Sequence, residues 1–386
     1  MKKLILFLVC ITVLLLLTIL FLGNKEVARK KILITAKIDK QDQIKVLNKW
    51  NDGPYIFSQK DQINAYYLCK GQVFKKTLMK ESTPLKLSYC NTSVTLYELN
   101  YQEDNILEYN GDYKIAALSD IHGQYDLVKE LLRNNKIINE KGDWAFGNGH
   151  LVITGDVFDR GSHVTEVLWL LYKLEQQATE KGGKLHLLLG NHEVMILNGD
   201  LRYLHQKYQD VSTKLGFIYD ELYSKNSVLG IWLRSKPVLV KINNTLFMHG
   251  GFHSTLAEEE LTLSFINRIF KKNLVKNELP QPREGWGKYL HGKNGPIWYR
   301  GYFEEKNKCL KKGIDSLLEY YGVDHIIVGH TSQKQIETRH CGRVIAIDAS
   351  MKNGEYGELL FIKGDDMWRG TLTGEKLSLK DDKLLN

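Results

Sequence analysis

The chain has 386 residues, of which 43% are hydrophobic and 25% charged, with a formal net charge of +8 at neutral pH. That composition excludes a disordered or fibrous protein and leaves room for one large domain with an accessory region, or for two domains. The basic residues sit in short scattered runs such as Lys75-Lys76, Lys271-Lys272 and Lys311-Lys312, the pattern of solvated faces, and no nucleic-acid partner is expected.

At the N-terminus Lys2 and Lys3 precede an uninterrupted apolar run, Leu4 to Leu22, long enough to cross a bilayer as a helix. Bulky Phe21 stands where a signal-peptide cleavage site needs a small residue. Residues 1–31 are therefore expected to be a retained anchor, giving a single-pass protein that meets the membrane through this helix. Lysines and Arg29 flank the run on its far side too, so the positive-inside rule gives no orientation. The short cationic tail resembles an export signal, and the four cysteines outside the run tolerate oxidation; both favour an extracytoplasmic, periplasmic main domain.

Residues 32–110 alternate short apolar stretches with turn text ("NDGPYIF", "KESTPLKL", "EYNGDYK"), which predicts a β-rich accessory region. Cys69 and Cys90 lie in strand-like text there and could staple a small β unit, or pack as free thiols. No C-x-x-C spacing occurs, which argues against thiolate zinc and redox sites.

From 111 to 365 the text changes. Apolar runs of four to six residues end in Gly, Asp, Asn or His, and helix-period text follows the early ones: "KIAALSDIHG" then "YDLVKELLRNNK", "LVITGDVFDRG" then "TEVLWLLYKLEQQ". Alternating strand and helix predict an α/β layered domain, with residues 366–386 as a tail. Later runs are "LHLLLGNHEVM", "TLFMHGGF", "HIIVGHTS" and "RVIAIDAS". Their polar residues cluster at strand C-terminal ends, where open α/β sheets bind ligands. Residues 196–236 and 252–296 read as insertions that could wall a pocket.

These strand ends carry the chemistry. Asp120 and His122, two apart in extended backbone, would face one way. Asp156 offers two oxygens that suit it to bridge cations, and Arg160 has the planar fork that matches phosphate. Asn191 can ligate without adding negative charge; His192, titrating near neutrality, is a candidate proton donor, with Asp159 to hold it. Glu193 reads as a supporting group. His249 and His330 add two imidazoles. Each motif alone has a plainer reading, as a strand end or a capped turn. Together, Asp120, His122, Asp156, Asn191, His249 and His330 would serve two cations about 3.5–4 Å apart that activate a hydroxide for in-line attack on phosphorus.

The ordered set "SDIHG", "GDVFDRG", "GNHE", "HGG" and "GHT" resembles the calcineurin-like metallophosphoesterases. "DRG" and "GNHE" are similar to the phosphoprotein phosphatase branch, and "GIWLRSKPVLVKI" and "GPIWYRGYF" resemble the spacer text of Shewanella-like phosphatases. The resemblance covers roughly residues 112–362 and implies a central β-sandwich flanked by helices, with the dinuclear site at strand C-terminal ends. It further implies that Asp120 and His122 bind one metal, Asn191, His249 and His330 the other, and Asp156 both. His192, paired with Asp159, would protonate the leaving group while Arg160 and Arg300 grip the phosphoryl oxygens. Ser119 stands where the family usually has glycine, a change expected to leave the ligands in place. Thr331 and Ser332 follow His330, so the second histidine of the G-H-x-H nucleases and phosphodiesterases is missing. The expected activity is phosphomonoester hydrolysis on phosphotyrosine or phosphoserine/threonine proteins with two divalent ions, manganese, iron or zinc. A diadenosine polyphosphate or other small phosphoester is the alternative substrate, and a non-catalytic phospho-ligand module the third reading.

Overall fold

Short parallel strands made almost wholly of apolar residues need cover on both faces. Ile115–Leu118 and His150–Ile153 are such strands, Lys184–Leu187 continues their sheet, and the fold covers them with a second sheet on one side and helices on the other. The computed structural model describes residues 50–80, 83–90, 92–97, 106–304 and 312–379. Within them two six-stranded sheets form a sandwich. The first runs, edge to edge, Lys376–Ser378, Asp366–Gly370, Leu359–Lys363, Ile115–Leu118, His150–Ile153, Lys184–Leu187; the second runs Glu337–Arg339, Val344–Ala346, His325–Val328, Thr245–Met248, Leu239–Ile242, Glu108–Tyr109.

The period of two decides which side chains fill which layer. Ile115, Ala117 and Val152 meet Val240, Ile242, Phe247, Ile327 and Ile345 in one cluster that draws on both sheets. The alternate residues Ala116, Leu118, Leu151, Ile153, Leu185 and Leu187 belong to the larger core with the helices. Tyr125–Asn134 buries Val128, Leu131 and Leu132 there, and Val164–Glu180 buries ten of its residues. The three strands from Ile115, His150 and Lys184 are parallel, as are Thr245–Met248 and His325–Val328. Parallel neighbours end on the same edge, so the loops that follow them gather there.

Ahead of the sandwich, Asp52–Ser58, Gln62–Cys69 and Gln72–Met79 form an antiparallel sheet, and Leu85–Tyr89 pairs with Thr92–Leu96. A disulfide joins Cys69 to Cys90, Cα to Cα 5.4 Å, linking the two units. Cys341 is also disulfide-bonded; Cys309 lies outside the described residues.

The N-terminal sheet is tied to the sandwich by a buried charge. Lys207, 2% exposed, lies 3.0 Å from Asp52 and 3.2 Å from Glu166, and donates to the Ser162 carbonyl at 2.8 Å. Tyr55 donates to the other Asp52 oxygen. Burial, and then the charge of Asp52, push the Glu166 carboxyl up to about 7, and Asp52 is the carboxylate nearer to Lys207. Removing one partner of a buried pair strands the other's charge. Lys207→Met is expected to lower unfolding free energy by about 3–5 kcal/mol, with partial recovery in the Asp52→Asn/Lys207→Met double variant. Urea denaturation measures both; a loss below about 1 kcal/mol would show the pair to be dispensable.

The expected N-terminal membrane helix is corrected, together with the single-pass, extracytoplasmic placement that rests on it. Among the described residues no helix is long and apolar enough to cross a membrane. Val164–Glu180, at 17 residues, carries Glu166, Lys173, Glu175 and Glu180, against the roughly 20 apolar residues that a span requires. The run Leu4 to Leu22 lies outside the described residues.

Candidate functional site

Five loops converge on the shared edge. Asp120 and His122 follow Ile115–Leu118, Asp156 to Arg160 follow His150–Ile153, and Asn191 and His192 open the helix Asn191–Leu197 after Lys184–Leu187. His249 follows Thr245–Met248 and His330 follows His325–Val328. Strand alternation does not orient Asp120 and His122. Their φ values are +54° and +46°, and Asp156, Asp159, Arg160 and His330 are left-handed too, between +58° and +68°. Six non-glycine residues in a sparsely populated region, all at one site, mark backbone that the surrounding structure holds in place. Two glycines let the loops touch. A Cβ on Gly155, at φ +106°, would sit 2.4 Å from the Gly190 nitrogen, and one on Gly161 would sit 2.2 Å from the His122 carbonyl.

Glu193 binds the loops together. Its buried carboxylate accepts the backbone N–H groups of Gly190 (2.8 Å), Asp156 (2.8 Å) and Val157 (2.7 Å). The "GNHE" glutamate thus supports the "GDV" turn. Ser119 is no bystander: its hydroxyl accepts from Thr154 and donates to Asp120 Oδ2 at 2.6 Å, while His330 N–H donates to the same oxygen at 2.9 Å. That leaves Asp120 Oδ1 to face His122 Nε2, 3.7 Å away.

The imidazoles are set by their outer bonds. His122 Nδ1 lies 2.6 Å from the Phe158 carbonyl and His249 Nδ1 lies 3.0 Å from the Thr154 carbonyl. Each must donate there, which leaves both Nε2 atoms facing inward, the arrangement that orients metal-binding histidines. His249 Nε2 meets Asp156 Oδ2 at 3.2 Å, Asn191 Oδ1 at 2.9 Å and His330 Nδ1 at 3.1 Å. His330 Nε2 is buried with no hydrogen-bond partner among the described residues. Ligand atoms of His122, Asp156 and His192 lie within 4.8 Å of one another, as do those of Asp156, His249 and His330. Asp156 is common to both groups.

Electrostatics agree with a cation centre. Burial alone would raise the Asp120 carboxyl, yet its bond to His122 and the charge of His249 hold it at about 2. Burial is likewise outweighed at Asp156, kept well below the carboxylate range chiefly by His249 and His192. Burial, then the charge of His249, pushes His330 down to about 3. Two buried carboxylates, an amide oxygen and inward-facing imidazoles fit a pair of divalent cations.

His192 differs from the others. Its Nδ1 lies 2.5 Å from Asp159 Oδ2, its backbone N–H donates to Asp156 Oδ1 at 3.0 Å, and its Nε2 lies 3.8 Å from Asp156 Oδ2. Burial opposes protonation, but the Asp156 charge and the Asp159 bond outweigh it and raise its pKa. Arg160 lies over the Tyr203 ring, and Arg300 donates to the His330 carbonyl and the Thr331 hydroxyl, both at 2.9 Å. The centre opens into a cleft of about 300 Å³ lined by Asp120, His122, Asp156, Asn191, His192 and His330, with both arginines.

Tyr203, Trp298, Ser332 and Lys352 also line the cleft; sequence reasoning missed all four. Tyr203 falls within the insertion 196–236 expected to wall a pocket, and Trp298 within the quoted "GPIWYRGYF". Ser332 and Lys352 stand just past "GHT" and "IDAS" and carry no motif. The other expected insertion, residues 252–296, contributes no residue to the lining. The histidines outside the motifs pack elsewhere: His150 bonds His186, His291 stacks on Phe270, and His340 bonds the Tyr302 carbonyl.

A family model for calcineurin-like phosphoesterases matches residues 113–334. The chain belongs to this family. A curated relative, Shewanella-like protein phosphatase 1 of Plasmodium berghei, is 31% identical over 269 residues, 67% of this chain and 68% of its own. Shewanella-like protein phosphatase 2 of Arabidopsis thaliana is 26% identical over 62% of this chain and 72% of its own. Among solved structures, the cold-active protein-tyrosine phosphatase of a psychrophilic Shewanella is 41% identical, with a TM-score of 0.78, covering 86% of this chain and all of that one. This phosphoesterase is thus a hydrolase of a family that uses a dinuclear divalent centre, and the buried donors described above are the candidates to hold it.

Proposed function

We propose that this phosphoesterase is a metal-dependent protein phosphatase that removes phosphate from tyrosine, and to a lesser extent from serine or threonine, by one direct displacement. The observation that carries the reading is the juxtaposition of the His192–Asp159 pair with Arg160 and Arg300 around one metal-fit cleft. Asp120 and His122 would hold one cation, Asn191, His249 and His330 the other, and Asp156 both. When bound, two such ions supply Lewis acidity to the phosphoryl oxygens and make water nucleophilic near neutral pH. The mixed oxygen and nitrogen donors suit manganese, iron or zinc.

The chain's own groups do the rest. Arg160 and Arg300 orient the phosphoryl group and offset charge on its oxygens. His192 Nε2 gives a proton to the departing oxygen, and Asp159 holds the ring and favours its protonated form. The 41% identity with a protein-tyrosine phosphatase supports tyrosine as the favoured side chain.

The test is turnover by manganese-loaded protein of matched phosphotyrosine and phosphoserine peptides beside a diadenosine polyphosphate. Phosphotyrosine peptide turnover at least about tenfold above phosphoserine is the expected result, a gap of roughly 1.4 kcal/mol. Cleavage of the dinucleotide alone would overturn the protein-phosphatase reading.

A further inference from the structure

Where G-H-x-H enzymes carry a second histidine, this chain has Ser332, and Ser332 is committed at both ends. Lys352 Nζ donates to its hydroxyl at 2.5 Å, and that hydroxyl donates to Asp348 Oδ2 at 2.5 Å. Asp348 is fully buried and accepts the Ser350 N–H on its other oxygen at 2.9 Å. The two loops are tied twice more, by Gln333 N–H to the Asp348 carbonyl (2.8 Å) and by the Ser350 hydroxyl to the Gln333 carbonyl (2.7 Å). The Lys352 carbonyl accepts from Gln124 at 3.1 Å. A lysine on a surface loop would sample many rotamers; this one is held by a serine that is itself held by a buried carboxylate.

Lys352 lines the same cleft as Asp120, Asp156, Arg160 and Arg300. Arg300 is anchored to His330 and Thr331, and Lys352 to Ser332, so one three-residue run positions both cations. An ammonium has three N–H donors. Among the described residues Ser332 takes one, which leaves two for a ligand in the cleft.

We propose that Lys352 is a substrate-binding residue that contacts a phosphoryl oxygen beside Arg160 and Arg300, with Ser332 as its positioning residue. The inference rests on the phosphatase reading and adds a third cation to the phosphoryl subsite. A dianionic group is the natural partner of such a set, since charge-assisted hydrogen bonds are the strong ones.

Full-length Lys352→Met, Lys352→Arg and Ser332→Ala variants test it with a phosphotyrosine peptide and with inorganic phosphate as inhibitor. Lys352→Met is expected to raise KM and the phosphate inhibition constant together by about tenfold, with kcat changed less than about threefold. Lys352→Arg keeps both within about threefold, and Ser332→Ala moves both in the same direction by less. Unchanged KM and phosphate inhibition in Lys352→Met, beside an active wild type, would overturn the proposal. An inactive wild type sinks the phosphatase reading instead. Equilibrium titration with inorganic phosphate still decides in that case: weaker binding in Lys352→Met upholds the cation subsite, and equal binding removes it.

Discussion

Asp156→Asn is expected to lose at least about 10³ in turnover and to release metal on dialysis, because its carboxylate belongs to both groups of candidate ligand atoms. Asp156 Oδ2 lies 3.2 Å from His249 Nε2 and 3.8 Å from the Nε2 atoms of His122 and His192, while Oδ1 takes the His192 N–H. Asparagine keeps the shape and removes the charge that these imidazoles face. The measurement pairs hydrolysis of p-nitrophenyl phosphate with metal content by mass spectrometry. Unfolding is monitored alongside: His249 and His192 favour the ionised Asp156 in the fold, so its loss is expected to destabilise the protein, and metal content is read below the variant's unfolding transition. A variant that kept two metals and turned over within tenfold of wild type would show that Asp156 is not shared.

His192→Ala is expected to lower kcat by about 10²–10⁴ while keeping the wild-type metal content. The second clause separates two roles that distance leaves open, since His192 Nε2 sits with His122 and Asp156 among grouped ligand atoms. The charge of Asp156 and then the Asp159 bond raise the pKa of His192, the direction that a proton donor needs. The leaving group offers a finer check. p-Nitrophenolate departs without much help from an acid and phosphoserine does not, so the defect is larger on the phosphoserine peptide. Equal defects on both, or loss of one metal, would remove His192 from the role of acid.

Much of the site was legible because strand ends are chemically conspicuous. Runs such as "LVITGD" and "HIIVGH" leave no doubt where apolar text stops, and the residues that follow are those the loops bring to one edge. The reason given for the first pair was incorrect, however. Asp120 and His122 face each other through a left-handed turn, and alternation in a strand plays no part. Ser119, expected to leave the ligands in place, also donates a hydrogen bond to one of the candidate ligands. Glycine at that position could not, so the change matters to how Asp120 is held.

The membrane anchor rests on the apolar length of Leu4 to Leu22, the lysines before it and the bulky Phe21 at its end, and among the described residues no spanning helix stands behind it. The role of Asp52 was not legible at all. It sits in "NDGPYIF", text that reads as a turn, yet its side chain is buried against Lys207 from the other side of the chain. Glu166 reads as an ordinary charge in a helix; only burial beside Asp52 lifts its pKa.

By itself the sequence determined the alternation of strand and helix, the family, and the order of the polar residues that could hold metal and phosphate. Those properties are local: they depend on periods of 2 and 3.6 and on which residue ends an apolar run. The tertiary structure decided which nitrogen of each imidazole faces inward, and it assigned Glu193 to three backbone N–H groups. It also brought Tyr203, Trp298, Ser332 and Lys352 to the cleft wall. These are contacts between loops far apart in sequence, made where parallel strands end together, and no local pattern records them.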